Sequence, residues 1–342
     1  MSHYTLMIHL SDSTLNKHAR RVEDALSEAL APFEESPPDG SPYGEFEDME
    51  PEYREKWENE KIEQIRLADG SLHFTWDDQF NDKSTGFLGA QKRNYPPGSE
   101  KVEVSFKEIY ASFDEFTKEY AGYKRDPKTG KIGRYHNPNA KWDWYQIGGR
   151  WRGFFPVKGG TEKVVGEAGT FDNPAKDGSD VVSFEEIDLD ACARTEREKF
   201  AEFVSEYRAY LGGQQFDAFD GPRSTMFALG LMRVEKAPYV AKPGEILRPW
   251  SEQKGFRDEP NIDVILDLSD EALTPCAPFF SPLRTYAVLD AKGEWHAAGD
   301  MGWFGCGSDT PEKNLGFAAT FFERFIKPAA GDGLLVCVDC HI

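Results

Sequence analysis

The segments YTLMIHL, residues 4–10, and LLVCVDCH, residues 334–341, are short apolar runs, one near each end of the chain. Runs of this length and composition read as buried strands. After the first, Val22, Ala25, Leu26, Ala29, Leu30 and Phe33 recur at helical spacing, and Pro32 marks the end of that helix. Before the second, residues 225–234 and 285–290 read as strands. A Lys292-Gly293 turn leads to a short strand around Trp295, and Phe317, Phe321, Phe322 and Phe325 mark a helix over 312–326. The core order is strand, helix, strand, strand, helix, strand, that of a ferredoxin-like α/β sandwich. The expectation is an α+β fold with residues 1–33 and 225–342 as core and both terminal strands in one sheet. Residues 34–224 form a large aromatic-rich insertion.

Within that insertion, Pro, Gly and acidic residues make 36–51 a loop, and a short polar helix is expected over 52–67. Phe106, Ile109, Tyr110, Phe113, Phe116 and Tyr120 mark an amphipathic helix. The segment NPNAKWDWYQIGGRWRGFFPV reads as a hairpin closed by Gly148-Gly149, and a further helix is expected near 190–211. The Pro-rich stretch 238–260 reads as an excursion from the core.

The 342 residues carry a net charge of −20, which argues against general nucleic-acid affinity, since binding phosphate backbones requires clustered Lys and Arg. The charge is unevenly spread. Residues 34–60 hold eleven acidic and two basic groups, a net of −9, whereas 124–163 hold ten basic and three acidic, a net of +7. No apolar run reaches the roughly 18 residues of a membrane span. The basic cluster near the start follows a short apolar run, the reverse of a signal peptide. The expected location is therefore the cytoplasm, and the five cysteines are expected to be free thiols.

Three stretches are familiar together: MSHYTLMIHL with Ala31-Pro32-Phe33-Glu34, NPNAKWDWYQIGGRW, and GDMGWFG followed by the terminal VDCHI. They resemble an uncharacterised family encoded by tailed bacteriophages and prophage-bearing bacteria, whose members begin MSHF, carry NPNAKWDWYxxGGRW, and end in GEMGWWG and VDCHI. Here Asp300 stands where the family usually has Glu, and Phe304 where it often has Trp. The resemblance implies a phage accessory role in the host cytoplasm. It implies no mechanism.

The central segment is the candidate ligand site. Trp142, Trp144, Tyr145 and Trp151 could stack on planar rings, while Arg150 and Arg152 could take phosphate or carboxylate. On a strand, Trp142, Trp144 and Gln146 would share one face. Trp303, in a glycine-punctuated loop, is a further stacking candidate. The bland alternative makes the tryptophans core and pairs the basic groups with the acidic loop 34–60.

Cys337-Val338-Asp339-Cys340-His341 matches the spacing of covalent haem attachment, but no export signal or fourth zinc ligand accompanies it, so no haem, zinc or other cofactor is expected. Asp339 and His341 would share a strand face and are the candidates for acid–base work. Nucleophile-elbow, metalloprotease, calcium-loop and P-loop motifs are absent. The leading expectation is a phage accessory protein binding a small anionic, nucleotide-like ligand, with counter-defence as the role suggested by analogy. The alternatives are an acidic inhibitor of a host nucleic-acid-binding enzyme, and a nucleotide-acting enzyme using Asp339 and His341.

Overall fold

Along the first strand, His3–Leu10, Tyr4, Leu6, Ile8 and Leu10 alternate with His3, Thr5, Met7 and His9. The strand pairs antiparallel with the C-terminal strand, Leu334–His341, over its whole length, from His3 opposite His341 to Leu10 opposite Leu334. The terminal strands thus share one sheet, as expected. The other edge of the first strand runs parallel to Ala287–Leu289, which pairs antiparallel with Trp295–Ala297. Two short strands, Trp144–Ile147 and Val181–Val182, cover the remaining edge of the C-terminal strand in tandem. The computed structural model describes residues 2–11, 17, 21–38, 40–81, 93–169, 174–214, 221–249, 261–301 and 307–342.

The α+β class holds, and the helix Arg21–Leu30, the hairpin 287–297 and the helix Pro311–Phe321 stand in the expected order. The cover of the sheet departs from a ferredoxin-like sandwich. Helix Arg21–Leu30 packs on the face of Leu6, Ile8, Val336 and Val338. Helix Pro311–Phe321 supplies Phe317 and Phe321 to the opposite face, against Met7, Val288, Leu335 and Cys337. The reason is local: both terminal strands are apolar on both sides, and a strand of that kind needs cover on both faces. Each fully buried aliphatic side chain contributes about 1.5–3 kcal/mol.

Two units divide the chain, one of residues 1–35 and 139–342, the other Ser36–Pro138. The expected insertion 34–224 is therefore narrower, because the strands at 144–147 and 181–182 belong to the central sheet. The 225–234 segment is also corrected. Its first half closes the helix Gly221–Ala228, which Gly230 terminates at φ 71°. Leu231 N–H donates to Met226 O and Gly230 N–H to Phe227 O, a Schellman ending. The strand Met232–Lys236 then joins a separate sheet with Asn261–Leu266 and Glu245–Pro249. That sheet packs with Phe203, Tyr207 and Tyr210 of the long helix Leu189–Leu211.

In the smaller unit, the expected helix over 52–67 is Glu50–Asn59 alone. Lys61–Arg66 is a strand held between Leu72–Phe74 and Glu100–Ser105, so pairing overrides local helix propensity. The single helix expected over 106–120 is two, Phe106–Ile109 and Phe113–Ala121, the second capped by Ser112. The basic residues 125–134 face the acidic stretch: Arg134 binds Glu47, Lys131 binds Asp48, and Arg125 binds Glu50 and Asp114. The bland reading of charge holds for this part of the basic segment.

Candidate functional site

The strand considered over 141–147 is shorter at its start and runs Trp144–Ile147. Trp142 bridges to Glu34 and Asp143 N–H donates to His341 O, so regular alternation starts at Trp144. Trp142 consequently turns to the closed face of the sheet. It is 7% exposed, stands edge-on to Tyr145 at 5.0 Å, and its Nε1–H donates to Leu30 O at 3.1 Å. Trp142 is part of this core, and Tyr145 packs against it partly buried. Trp144 and Gln146 point to the other face, opposite His341 and Asp339. Trp144 is exposed and meets the His3 ring edge-on at 6.2 Å.

The expected hairpin is absent: after Ile147, Gly148 and Gly149 turn the chain away from the sheet, with φ 72° and 52°. Both glycines are required by close approach as well. A Cβ on Gly148 would lie 2.4 Å from an Asp180 carboxylate oxygen, and one on Gly149 would lie 2.4 Å from Asp339. The turn thus wraps two buried carboxylates. Asp180 accepts the N–H groups of Phe154 and Gly166, and burial raises its pKa despite those bonds. Asp339 accepts from Arg150 N–H at 2.9 Å, and His3 Nδ1 lies 2.8 Å from its other oxygen. His341 Nδ1 lies 2.6 Å from Asp143, and the His3 and His341 rings meet edge-on with centroids 4.8 Å apart.

Next to this cluster is an open cavity of about 370 Å³, lined by Thr5, Trp151, Phe154, Lys176, Lys199 and Arg284. Thr5 is the direct cross-strand partner of Asp339 and shares the face of His3. Lys199 comes from the long helix, one helical step from Thr195 and on the side of buried Cys192. Lys176 enters where its N–H bonds Arg152 O, beside Gly153 at φ 73°. Arg284 precedes the strand Ala287–Leu289, donates to Phe279 O at 2.9 Å and lies 3.9 Å over the Phe279 ring.

Two of these cations, Lys176 and Arg284, sit in surroundings that disfavour their charge. Burial pushes the Arg284 guanidinium down to about 10. Burial, and then repulsion from Lys199, lowers Lys176, with Cys337 and Asp180 opposing. Among the described residues none of the three has a carboxylate within ion-pair distance, and Asp177 at the rim is taken by Lys163. Each cation stands far from the others in sequence, so no local motif announces them. The one available signal was Lys199, which sits in line with the buried Cys192 and Phe203 of its helix.

Of the remaining candidates, Trp151 lines the cavity, Arg150 holds Asp339 through its backbone, and Arg152 lies on the turn beside Gly148. Trp303 lies outside the described residues. Cys337 and Cys340 point to opposite faces of their strand and cannot converge on one metal. Burial raises both thiols, as it does Cys192, pushed up to about 12. Asp290, Glu294 and His296 do lie together, but Asp290 accepts the N–H groups of Lys292 and Glu294 and so closes a hairpin turn. Among the described residues no helix is long and apolar enough to cross a membrane. Compared with known protein families, curated proteins and solved structures, the chain matches none, and the site's chemistry is the guide to its role.

Proposed function

We propose that this protein binds a small anionic, ring-bearing ligand of mononucleotide size in the cavity lined by Lys176, Lys199, Arg284 and Trp151. The observation that carries the reading is the set of three cations without carboxylate partners. Gathering like charges in a partly desolvated space costs free energy that an incoming anion offsets. A volume of about 370 Å³ lies in the range of small-molecule sites, roughly 300–1,000 Å³. Trp151 supplies an aromatic wall for a planar group. The resemblance to phage proteins adds a setting, in which sequestering a host nucleotide serves counter-defence. The rival inhibitor reading is weakened, since Glu47, Asp48 and Glu50 are bound to cations of their own unit.

The test is calorimetric titration of nucleoside monophosphates and inorganic phosphate into wild type and Arg284→Ala. Wild type is expected to bind, and the variant to lose about 1.5–3 kcal/mol, or ten- to more than a hundredfold in affinity. Equal affinities would remove Arg284 from the site, and no binding by wild type would end the proposal.

A further inference from the structure

The two Asp–His pairs beside the cavity are not needed to hold an anion. A carboxylate only accepts hydrogen bonds, so each Nδ1 facing Asp339 or Asp143 carries the ring's proton donor. That leaves each Nε2 as the atom able to exchange a proton, and among the described residues neither Nε2 has a hydrogen-bond partner. The two imidazoles are 9% and 12% exposed, so they remain within reach of solvent. Their ligand atoms do not converge as those of Asp290, Glu294 and His296 do, so a shared metal does not explain them. His3 lies two residues along the same strand face from Thr5, which lines the cavity, a separation of about 7 Å. A phosphoryl group with its attacking water, hydrogen-bonded at both ends, can span that distance.

We infer that His3 and His341 are a general base and general acid that hydrolyse a phosphoester of mononucleotide size held by Lys176, Lys199 and Arg284. The inference rests on the anion-binding reading and extends it to turnover. Water attacks phosphorus while His3 Nε2 takes its proton. The new P–O bond forms as the ester P–O bond breaks, and protonated His341 gives its Nε2 proton to the leaving oxygen. The products are a phosphate-bearing fragment and an alcohol, and exchange with solvent restores both rings. The three cations stabilise the charge that develops on the phosphoryl oxygens. Asp339 and Asp143 are positioning residues that fix the tautomer and orientation of each ring.

The test uses the full chain with adenosine 3′-monophosphate and 5′-monophosphate, whose alkoxide leaving groups require protonation, and kcat/KM for phosphate release is followed against pH. Wild type is expected to show a bell-shaped profile. His3→Gln should lose its acidic limb and His341→Gln its alkaline limb, each with a loss of about 10²–10⁴-fold. Inorganic phosphate binding, measured on the same samples, should persist in both variants. Phosphate binding by wild type without hydrolysis of either ester overturns this inference and leaves the anion site standing. Absence of phosphate binding overturns the site itself. Should either variant fail to fold, the wild-type profile still decides, because a flat or single-limbed profile contradicts a two-histidine mechanism.

Discussion

On one face of the central sheet, Tyr4, Leu6, Ile8 and Leu10 pack in an apolar cluster with the helix Arg21–Leu30, the C-terminal strand, Trp142 and Trp295. On the other, Met7, Leu335 and Cys337 are packed just as tightly at one end. The row then changes to Thr5, His3, Asp339 and His341, next to a cation-lined cavity. The same two strands build both faces, so the difference lies in the side chains at alternate positions. One face stabilises the fold. The other gives up part of its apolar contact to hold polar groups that packing alone does not require, and such local departures mark functional sites.

The largest effect should come from the closed face. Trp142→Ala removes a buried indole and its bond to Leu30 O, and is expected to cost about 3–5 kcal/mol in chemical denaturation. Phosphate affinity of the folded fraction should be unchanged. A variant that instead kept its stability and lost the ligand would put Trp142 in the site and erase the contrast between faces.

Gly149→Ala probes the seam between fold and site. Its Cβ would meet the Asp339 carboxylate at 2.4 Å, and φ 52° disfavours any L side chain. A loss of about 1–3 kcal/mol is expected, together with displacement of His3 from Asp339. An unchanged melting temperature would show that the two buried carboxylates do not fix the turn.

The pH dependence of anion binding should be smaller. Lys176 and Arg284 have lowered proton affinity in the free protein, Arg284 down to about 10. A bound anion favours their charged forms, so binding takes up protons once pH exceeds the free-state values, and affinity falls as pH rises. Lys199 adds to the repulsion on Lys176, while Asp180 and Cys337 act against it. Sulfate, whose charge is constant, should bind severalfold more weakly near pH 10 than at neutral pH. Affinity that rises with pH would contradict cation-driven binding.

The central sheet was legible because 4–10 and 334–341 are apolar at nearly every position. The same fact implied cover on both faces, which the element order alone conceals. Residues 225–234 misled because an apolar run contains no sign of where a helix stops except Gly230, whose role depends on its conformation. In the candidate segment, the aromatic and basic pattern mixed residues with three destinations. Trp142 is core, Trp144 is surface, and Trp151 lines the cavity. Lys176, Lys199 and Arg284 were not legible, because folding, not spacing, brings them together.

Lys176→Met gives the most direct test of the anion site. Methionine keeps the length of the stem and removes a charge that burial and Lys199 both penalise, at the loss of the ammonium's place 5.7 Å over the Phe154 ring. The unliganded variant is expected to melt at or above wild type and to bind phosphate at least about tenfold more weakly, the loss of one charge-assisted contact. A variant that melts earlier and binds phosphate as tightly as wild type would show that Lys176 serves the fold, and would contradict the account.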